Sequence, residues 1–495
     1  MSAPRLETTS GIVEGRTVAA PDGTPVLRFF GIPYAASPAG ARRWRRPSPP
    51  TSWAGIRSAS AFGPAAPQGP GLSTPLPGFR PEATDEDCLS LNVWTPALDG
   101  RRPVLVWIHG GAFTAGGSSQ AVYDGSRLAA EADAVVVTIN YRLGALGFLC
   151  PADAGPGADA VGNAGLHDQL AALTWVRDHA AALGGDPSTA TAFGESAGAG
   201  SILHLLASTV EPDLARAVAQ SGEPRTLTRE EAARVADRLA AALAVDRADA
   251  ATLRAVPTPA LLAAQDQVTP ELFGETGVMP FAPAVDGELL DQPVLDGFGA
   301  GRGRAVPLVL GTTRDELRLF PDPTGAGLDD QRLARRVRRL VPGRDAADTV
   351  AAYRAALGPA AGNGDVWEAV RTDARMRIPN LRLAEARAAS GRPAFVYRFD
   401  WEAPGLGAAH AVDVPFTFGN FDQEGWAAAV GHDGAADACA ARLRRAWAAL
   451  AATGDPSTDD APWPPYRPAR RAVMVFDRDT RVVDDPDGPV RACYD

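Results

Sequence analysis

The chain has 495 residues, enough for a large core, and carries a formal net charge of −11 with no dense Lys/Arg block interleaved with aromatics, which argues against a nucleic-acid or anionic-membrane surface. Its short basic clusters, Arg42–Arg46 and Arg335–Arg339, read as solvated faces. Four cysteines, Cys88, Cys150, Cys439 and Cys493, show neither C-x-x-C nor metal-finger spacing, and one or two disulfides stay open. No apolar run reaches the roughly 20 residues that span a bilayer, and the N-terminus lacks an apolar signal core, so a soluble, cytoplasmic protein is expected, with secretion left open.

Residues 12–32 alternate around Pro21-Asp22-Gly23 and predict an antiparallel hairpin at a sheet edge. The stretch 47–81 is rich in Pro and Gly without periodicity and reads as an irregular surface segment. Leu89–Trp94 is a strand, and Pro103–Ile108 is a continuous apolar run that ends in His109-Gly110-Gly111-Ala112-Phe113, as a central strand of a parallel sheet should. Helix (Leu128–Ala132), strand (Ala134–Ile139) and helix (Leu166–Leu183) follow, which indicates an α/β class.

Thr189–Phe193 is then a short strand leading into Gly194-Glu195-Ser196-Ala197-Gly198, the pattern G-x-S-x-G, with helix-forming residues from Ala197 to Leu206. A sharp strand-to-helix turn leaves room only for glycine beside the serine and raises its hydroxyl above the sheet edge. Helical insertions are predicted over 229–300, densest in Arg229–Leu262, and over 328–389, interrupted at Pro342-Gly343 and Gly358-Pro359. Between them Val306–Gly311 is another central strand. Ala394–Phe399 is a further strand, Cys439–Ala452 a helix, and Ala472–Phe476 opens a last hairpin. With no internal repeat, residues 1–495 are expected to form one α/β domain with large insertions.

A serine hydroxyl needs an imidazole to take its proton and a carboxylate to hold that imidazole. Of the six histidines only His204, His410 and His432 follow Ser196. His204 lies two turns along the helix after the serine and reads as a core residue; His410, in a Gly/Ala-rich loop after a strand, is favoured over His432. For the acid, Asp315 and Glu316 both follow the Val306–Leu310 strand, and spacing does not separate them; Asp213, Asp286 and Asp373 lack such a strand. Backbone N–H groups of Ala197 and of the His109–Ala112 loop are the natural donors to a developing oxyanion. Trp94, Trp107 and Trp175 read as core, and Phe113, Phe281, Phe320, Phe416 and Phe418 as pocket lining or scaffold. No residue cluster has metal-ligand spacing and no loop carries a P-loop lysine, so neither a metal nor a cofactor is expected.

Taken together, Phe30–Ala35, Glu86–Asn92, Trp107–Phe113, Asn140–Gly144, Gly162–Gln169, Phe193–Gly198, Gln220–Gly222, Gly311–Glu316, His410–Phe416 and Trp463–Tyr466 resemble the type-B carboxylesterase family, the cholinesterase-like branch of the α/β-hydrolases, in family order. The resemblance implies an α/β-hydrolase fold: a large, mostly parallel central sheet flanked by helices, with helical insertions forming an active-site gorge. It implies Ser196 as nucleophile, Glu316 as acid with Asp315 its outward neighbour, His410 as base, and Gly111, Ala112 and Ala197 as oxyanion donors. The implied partner is a small or medium uncharged ester, cleaved through an acyl-enzyme. Amide, lactone or carbamate hydrolysis, or a non-catalytic interaction role on the same fold, are the alternatives; oligomeric state stays open. Secreted members often pair the cysteine matching Cys88 with one in Phe-Gly-Pro-x-Cys-Pro-Gln, but here that place is Ala66.

Overall fold

The computed structural model describes residues 3–69, 76–77, 81, 83–322, 324–325, 327–423 and 425–495. Its strands are β1 (Arg5–Thr8), β2 (Gly11–Glu14), β3 (Arg16–Ala19), β4 (Pro25–Pro33), β5 (Ile56–Ser58), β6 (Ser90–Thr95), β7 (Val104–Ile108), β8 (Val135–Ile139), β9 (Thr191–Glu195), β10 (Arg216–Gln220), β11 (Leu308–Thr313), β12 (Phe395–Phe399), β13 (Ala472–Phe476) and β14 (Arg481–Asp484).

Eleven of them form one sheet in the order β14-β13-β12-β11-β10-β9-β7-β8-β6-β4-β3. The stretch from β13 to β8 is parallel throughout, and antiparallel strands close both ends. Every residue of β7, β8, β9 and β11 is buried, because helices cover both faces and leave no side for a polar alternation. The Pro21-Asp22-Gly23 turn joins β3 to β4 as expected, with Ala20 N–H donating to Thr24 O at 2.8 Å. The segment before it, β2, instead pairs with β1 and β5 in a separate small sheet.

The chain order creates one switch point. From β7 it crosses to β8 on one side, then returns to β9 on the other, so the carboxyl ends of β7 and β9 lie side by side and the connections leave in opposite directions. A crevice at such a point is where ligands bind in open α/β sheets.

The insertion over 229–300 contains the helices Arg229–Ala242, Ala250–Ala255, Thr258–Thr276 and Val294–Gly299. That over 328–389 contains Asp330–Leu340, Ala346–Leu357 and Asn363–Thr372, then a π-helical turn, Asp373–Arg377, that runs directly into Ile378–Ala389. Leu333, Val337, Tyr353, Val366 and Val370 give this second insertion an apolar cluster of its own. Of the irregular stretch 47–81, residues 70–75 and 78–80 lie outside the described residues; the remainder holds only the short β5. The helix expected from Cys439 starts earlier, at Gly434, because Asp433 caps it by accepting from Ala435 and Ala436 N–H at 3.0 Å each. All four cysteines are free thiols. Among the described residues no helix is long and apolar enough to cross a membrane.

Candidate active site

Ser196 sits between β9 and the helix Ala197–Leu206 with φ 56° and ψ −122°. An L-residue in that conformation carries about 1–3 kcal/mol of strain, which the surroundings must hold in place. Ser196 N–H donates to Gln220 O at 2.9 Å, and Ser196 O accepts from Gly200 N–H at 2.8 Å, so both sides of the turn are tied. The flanking glycines are required by contact. A Cβ on Gly194 would lie 2.7 Å from Ile108 O, and one on Gly198 would overlap Ile108 O outright. The end of β7 therefore presses against the elbow.

The loop after β7 is curled by a run of positive φ: Gly111 at 114°, Ala112 at 54° and Phe113 at 61°. His109 holds this curl. Its ring stacks on Tyr141 at 4.6 Å, its Nδ1–H donates to Gly110 O at 2.8 Å, and Tyr141 hydroxyl donates to His109 O at 2.8 Å. Burial lowers the His109 pKa to about 4, so the ring is neutral and structural. A Cβ on Gly110 would stand 3.0 Å from Ser196 Cβ, which brings the loop against the serine. Among the described residues no hydrogen bond is donated by the N–H of Gly111 or Ala112, and Ala197 is the first residue of its helix, where N–H groups have no partner within the helix.

His410 is buried in the loop after β12, and its Nδ1 lies 2.6 Å from Glu316 Oε2. A carboxylate only accepts, so Nδ1 carries the proton and Nε2 is left as the basic nitrogen. Glu316 is fully buried just past β11; its other oxygen accepts Thr313 N–H at 2.8 Å. Asp315 points the other way, half-buried, paired with Arg314 at 3.0 Å and accepting Ala408 N–H. The two neighbours thus face different partners, Glu316 the imidazole and Asp315 the Arg314 guanidinium. The rival histidines lie elsewhere. His204 Nδ1–H donates to Gly200 O at 2.7 Å from inside the core, and His432 pairs with Asp437 at 2.9 Å near the surface. Asp213 binds Thr174 and Arg177, Asp286 binds Asn163, and Asp373 binds Arg377.

Two further carboxylates, Glu195 and Asp413, lie within the family-like motifs and close to the imidazole. Glu195 Oε1 lies 3.0 Å from His410 Nε2, while a Cβ on Gly110 would be 2.9 Å from Glu195 Oε2 and 3.0 Å from Ser196 Cβ. Glu195 therefore lies against the imidazole with one oxygen and beside the Gly110 backbone with the other. Asp413, fully buried, accepts from Gln220 Nε2 at 2.9 Å and from the Tyr397 hydroxyl at 3.1 Å. Burial drives Glu195 up to about 8 and Asp413 up to about 6. Burial disfavours a charged His410, but Glu195 and Glu316 outweigh it and raise the ring to about 9. The titrations are linked: a proton on Glu195 removes a charge that favours the imidazolium. A charged residue at the end of the otherwise apolar Thr191–Glu195 run was the available signal.

The aromatics divide. Phe281, Phe416 and Phe418 are core, as are Trp94, Trp107 and Trp175. Phe113 and Phe320 are half-buried; Phe320 is 5.5 Å from the His410 ring between centroids, and a Cβ on Gly200 would be 3.4 Å from the Phe113 ring.

The carboxylesterase family model matches residues 2–488. The chain belongs to this family. It is 35% identical over 471 residues to the para-nitrobenzyl esterase of Bacillus subtilis, covering 94% of each chain. It is 37% identical over 497 residues to the phenmedipham hydrolase of Pseudarthrobacter oxydans, covering 96% of this chain and 95% of that one. The crystal structure of a Geobacillus stearothermophilus carboxylesterase superposes with a TM-score of 0.86 at 37% identity, over 99% of this chain and 100% of that one. The carboxylesterase has the α/β-hydrolase fold and is a serine hydrolase acting on carboxylic esters through an acyl-enzyme.

Proposed function

We propose that Ser196 is the nucleophile of this carboxylesterase, with His410 as general base, Glu316 as its orienting acid, and the N–H groups of Gly111, Ala112 and Ala197 as oxyanion donors. The observation that carries the assignment is the 2.6 Å bond from His410 Nδ1 to the buried Glu316 carboxylate, which leaves Nε2 as the basic nitrogen, together with the strained elbow that presents Ser196. In this reading Ser196 Oγ attacks the ester carbonyl as its proton passes to His410 Nε2. The carbonyl oxygen becomes an oxyanion facing the loop after β7 and the helix N-terminus, where each aligned donor contributes about 3 kcal/mol. Collapse breaks the bond to the alcohol oxygen, which takes the proton from His410. Water then enters and attacks the acyl carbon as it gives a proton to the same nitrogen; collapse breaks the bond to Ser196 Oγ, which takes that proton back from His410, and the acid leaves.

We assign small to medium uncharged esters as substrates. Phe113 and Phe320, half-buried beside the elbow and the imidazole, offer apolar walls for such a substrate. For compartment the cytoplasm is proposed, in keeping with the buried, free Cys88 and with Ala66 in place of a partner. The test is turnover of a chromogenic short-chain ester across a series of acyl lengths, with matched amides and carbamates. Rapid ester turnover abolished by Ser196→Ala supports the assignment; undiminished turnover in that variant overturns it.

A further inference from the structure

The loop that presents Glu316, from Thr313 to Leu317, is gripped from outside the sheet by one short segment. Arg377 Nη2 donates to Arg314 O at 2.6 Å and to Thr313 O at 3.3 Å, on the approach to Glu316. Thr372 Oγ1 accepts Leu317 N–H at 3.1 Å, on the far side. Thr372 and Arg377 are both buried and bracket the π-helical turn Asp373–Arg377. A regular α-helix advances 100° per residue, and the wider turn changes where residues five apart face. Here it lets Thr372 and Arg377 reach the two ends of the same loop.

The grip is itself braced. Arg377 pairs with the buried Asp373 on its own turn, and its Nε lies 3.6 Å from Asp487. Asp487 also accepts from Arg398 Nη1 at 2.5 Å, and Asp373 accepts from the Tyr353 hydroxyl at 2.6 Å. Tyr353 meets the Tyr494 hydroxyl at 3.0 Å, so the C-terminal segment closes the brace. A buried guanidinium with two carbonyls and two carboxylates around it has little freedom to move, because each lost bond leaves a polar group unsatisfied.

We propose that Thr372 and Arg377 are positioning residues for the reaction: the π-helical turn acts as a clamp that fixes the Thr313–Leu317 loop so that Glu316 meets His410 Nδ1. The proposal rests on the reading of Glu316 and His410 given above. Neither clamp residue touches the reacting atoms; they act through the backbone of the acid loop. Glu316 Oε1 is bonded to Thr313 N–H, and the carbonyl of that same residue is the one held by Arg377, so a shift of the loop moves the carboxylate with it.

The test uses Thr372→Val, which keeps shape but removes the acceptor, Thr372→Ser, which restores it, and Arg377→Lys, with Glu316→Gln and Ser196→Ala as controls. Kinetics of a chromogenic ester are measured across pH. A loosened acid loop lowers kcat about tenfold or more with KM within about twofold, since substrate contacts are untouched. It also moves the acidic midpoint of kcat/KM downward: of the three carboxylates facing His410, which are Glu195, Glu316 and Asp413, Glu316 is the one displaced. Thr372→Ser should rescue both effects. If Thr372→Val keeps the parent kcat and midpoint, whatever it does to Tm, the clamp is structural only and the proposal is overturned. Should Arg377→Lys not fold, the Thr372 pair decides alone. Full activity in Glu316→Gln or Ser196→Ala overturns the underlying mechanism instead, and the proposal with it.

Discussion

Glu195 Oε1 stands 3.0 Å from His410 Nε2 but without the alignment of a hydrogen bond, and it accepts none from any other group among the described residues. A carboxylate so deeply buried and so loosely matched costs free energy that an apolar residue would not. Its effect falls on the imidazole, whose charged form it favours.

The consequence is a shift in pH dependence. The base works when neutral, and Glu195 and Glu316 raise His410 above the ordinary histidine value, so kcat/KM should climb with pH with its midpoint above 6.5. Glu195→Gln removes one of the charges at constant size. The midpoint should move down by about one unit or more, a pH–rate profile being the measurement; an unmoved midpoint would show that Glu195 does not act on the base.

The strain at Ser196 gives a second expectation. Ser196→Gly relieves a positive φ that serine tolerates poorly, and should raise stability by about 1 kcal/mol in denaturant melts while abolishing turnover. Ser196→Ala keeps the strain and should leave stability near the parent value. Equal stability of the two variants would mean that the elbow stores no strain.

At Gly198 two effects oppose. Alanine gains about 1 kcal/mol over glycine inside a helix, but its Cβ would overlap Ile108 O and lie 2.9 Å from His109 O. Overpacking against backbone that cannot retreat costs about 1–3 kcal/mol or more, so Gly198→Ala should be destabilised and, since the disturbed strand end carries the Gly110–Ala112 loop, slowed as well. Thermal melts and kcat check both.

Arg142 and Asp168 make a fully buried bidentate pair, with Nε and Nη2 each 2.7 Å from a carboxylate oxygen. Removing one partner strands a buried charge. Asp168→Leu alone should cost about 3–5 kcal/mol, and a double variant with Arg142→Met should recover much of it, as measured by denaturant unfolding.

How far the sequence carries can be seen at particular residues. The apolar run Val104–Ile108 and its glycine-rich exit are found as β7 and its loop, because a strand buried on both faces leaves a continuous signal. Glu316 over Asp315 was open to spacing and needed the family motif; in the structure the difference is burial, with Asp315 drawn outward by Arg314. Glu195 and Asp413 stood inside recognised motifs without a role, since nothing local says which carboxylates a distant histidine will meet. The turn Asp373–Arg377 left no trace, because hydrophobic periodicity over five residues does not distinguish π from α.

The most direct test of the account is to trap the covalent intermediate: expose the protein to an organophosphate, digest it, and locate the adduct by mass spectrometry. The account predicts one stoichiometric adduct on Ser196, formed more slowly in His410→Ala, with activity lost in proportion to labelling. An adduct on another residue, or full ester turnover after Ser196 is labelled, would contradict it.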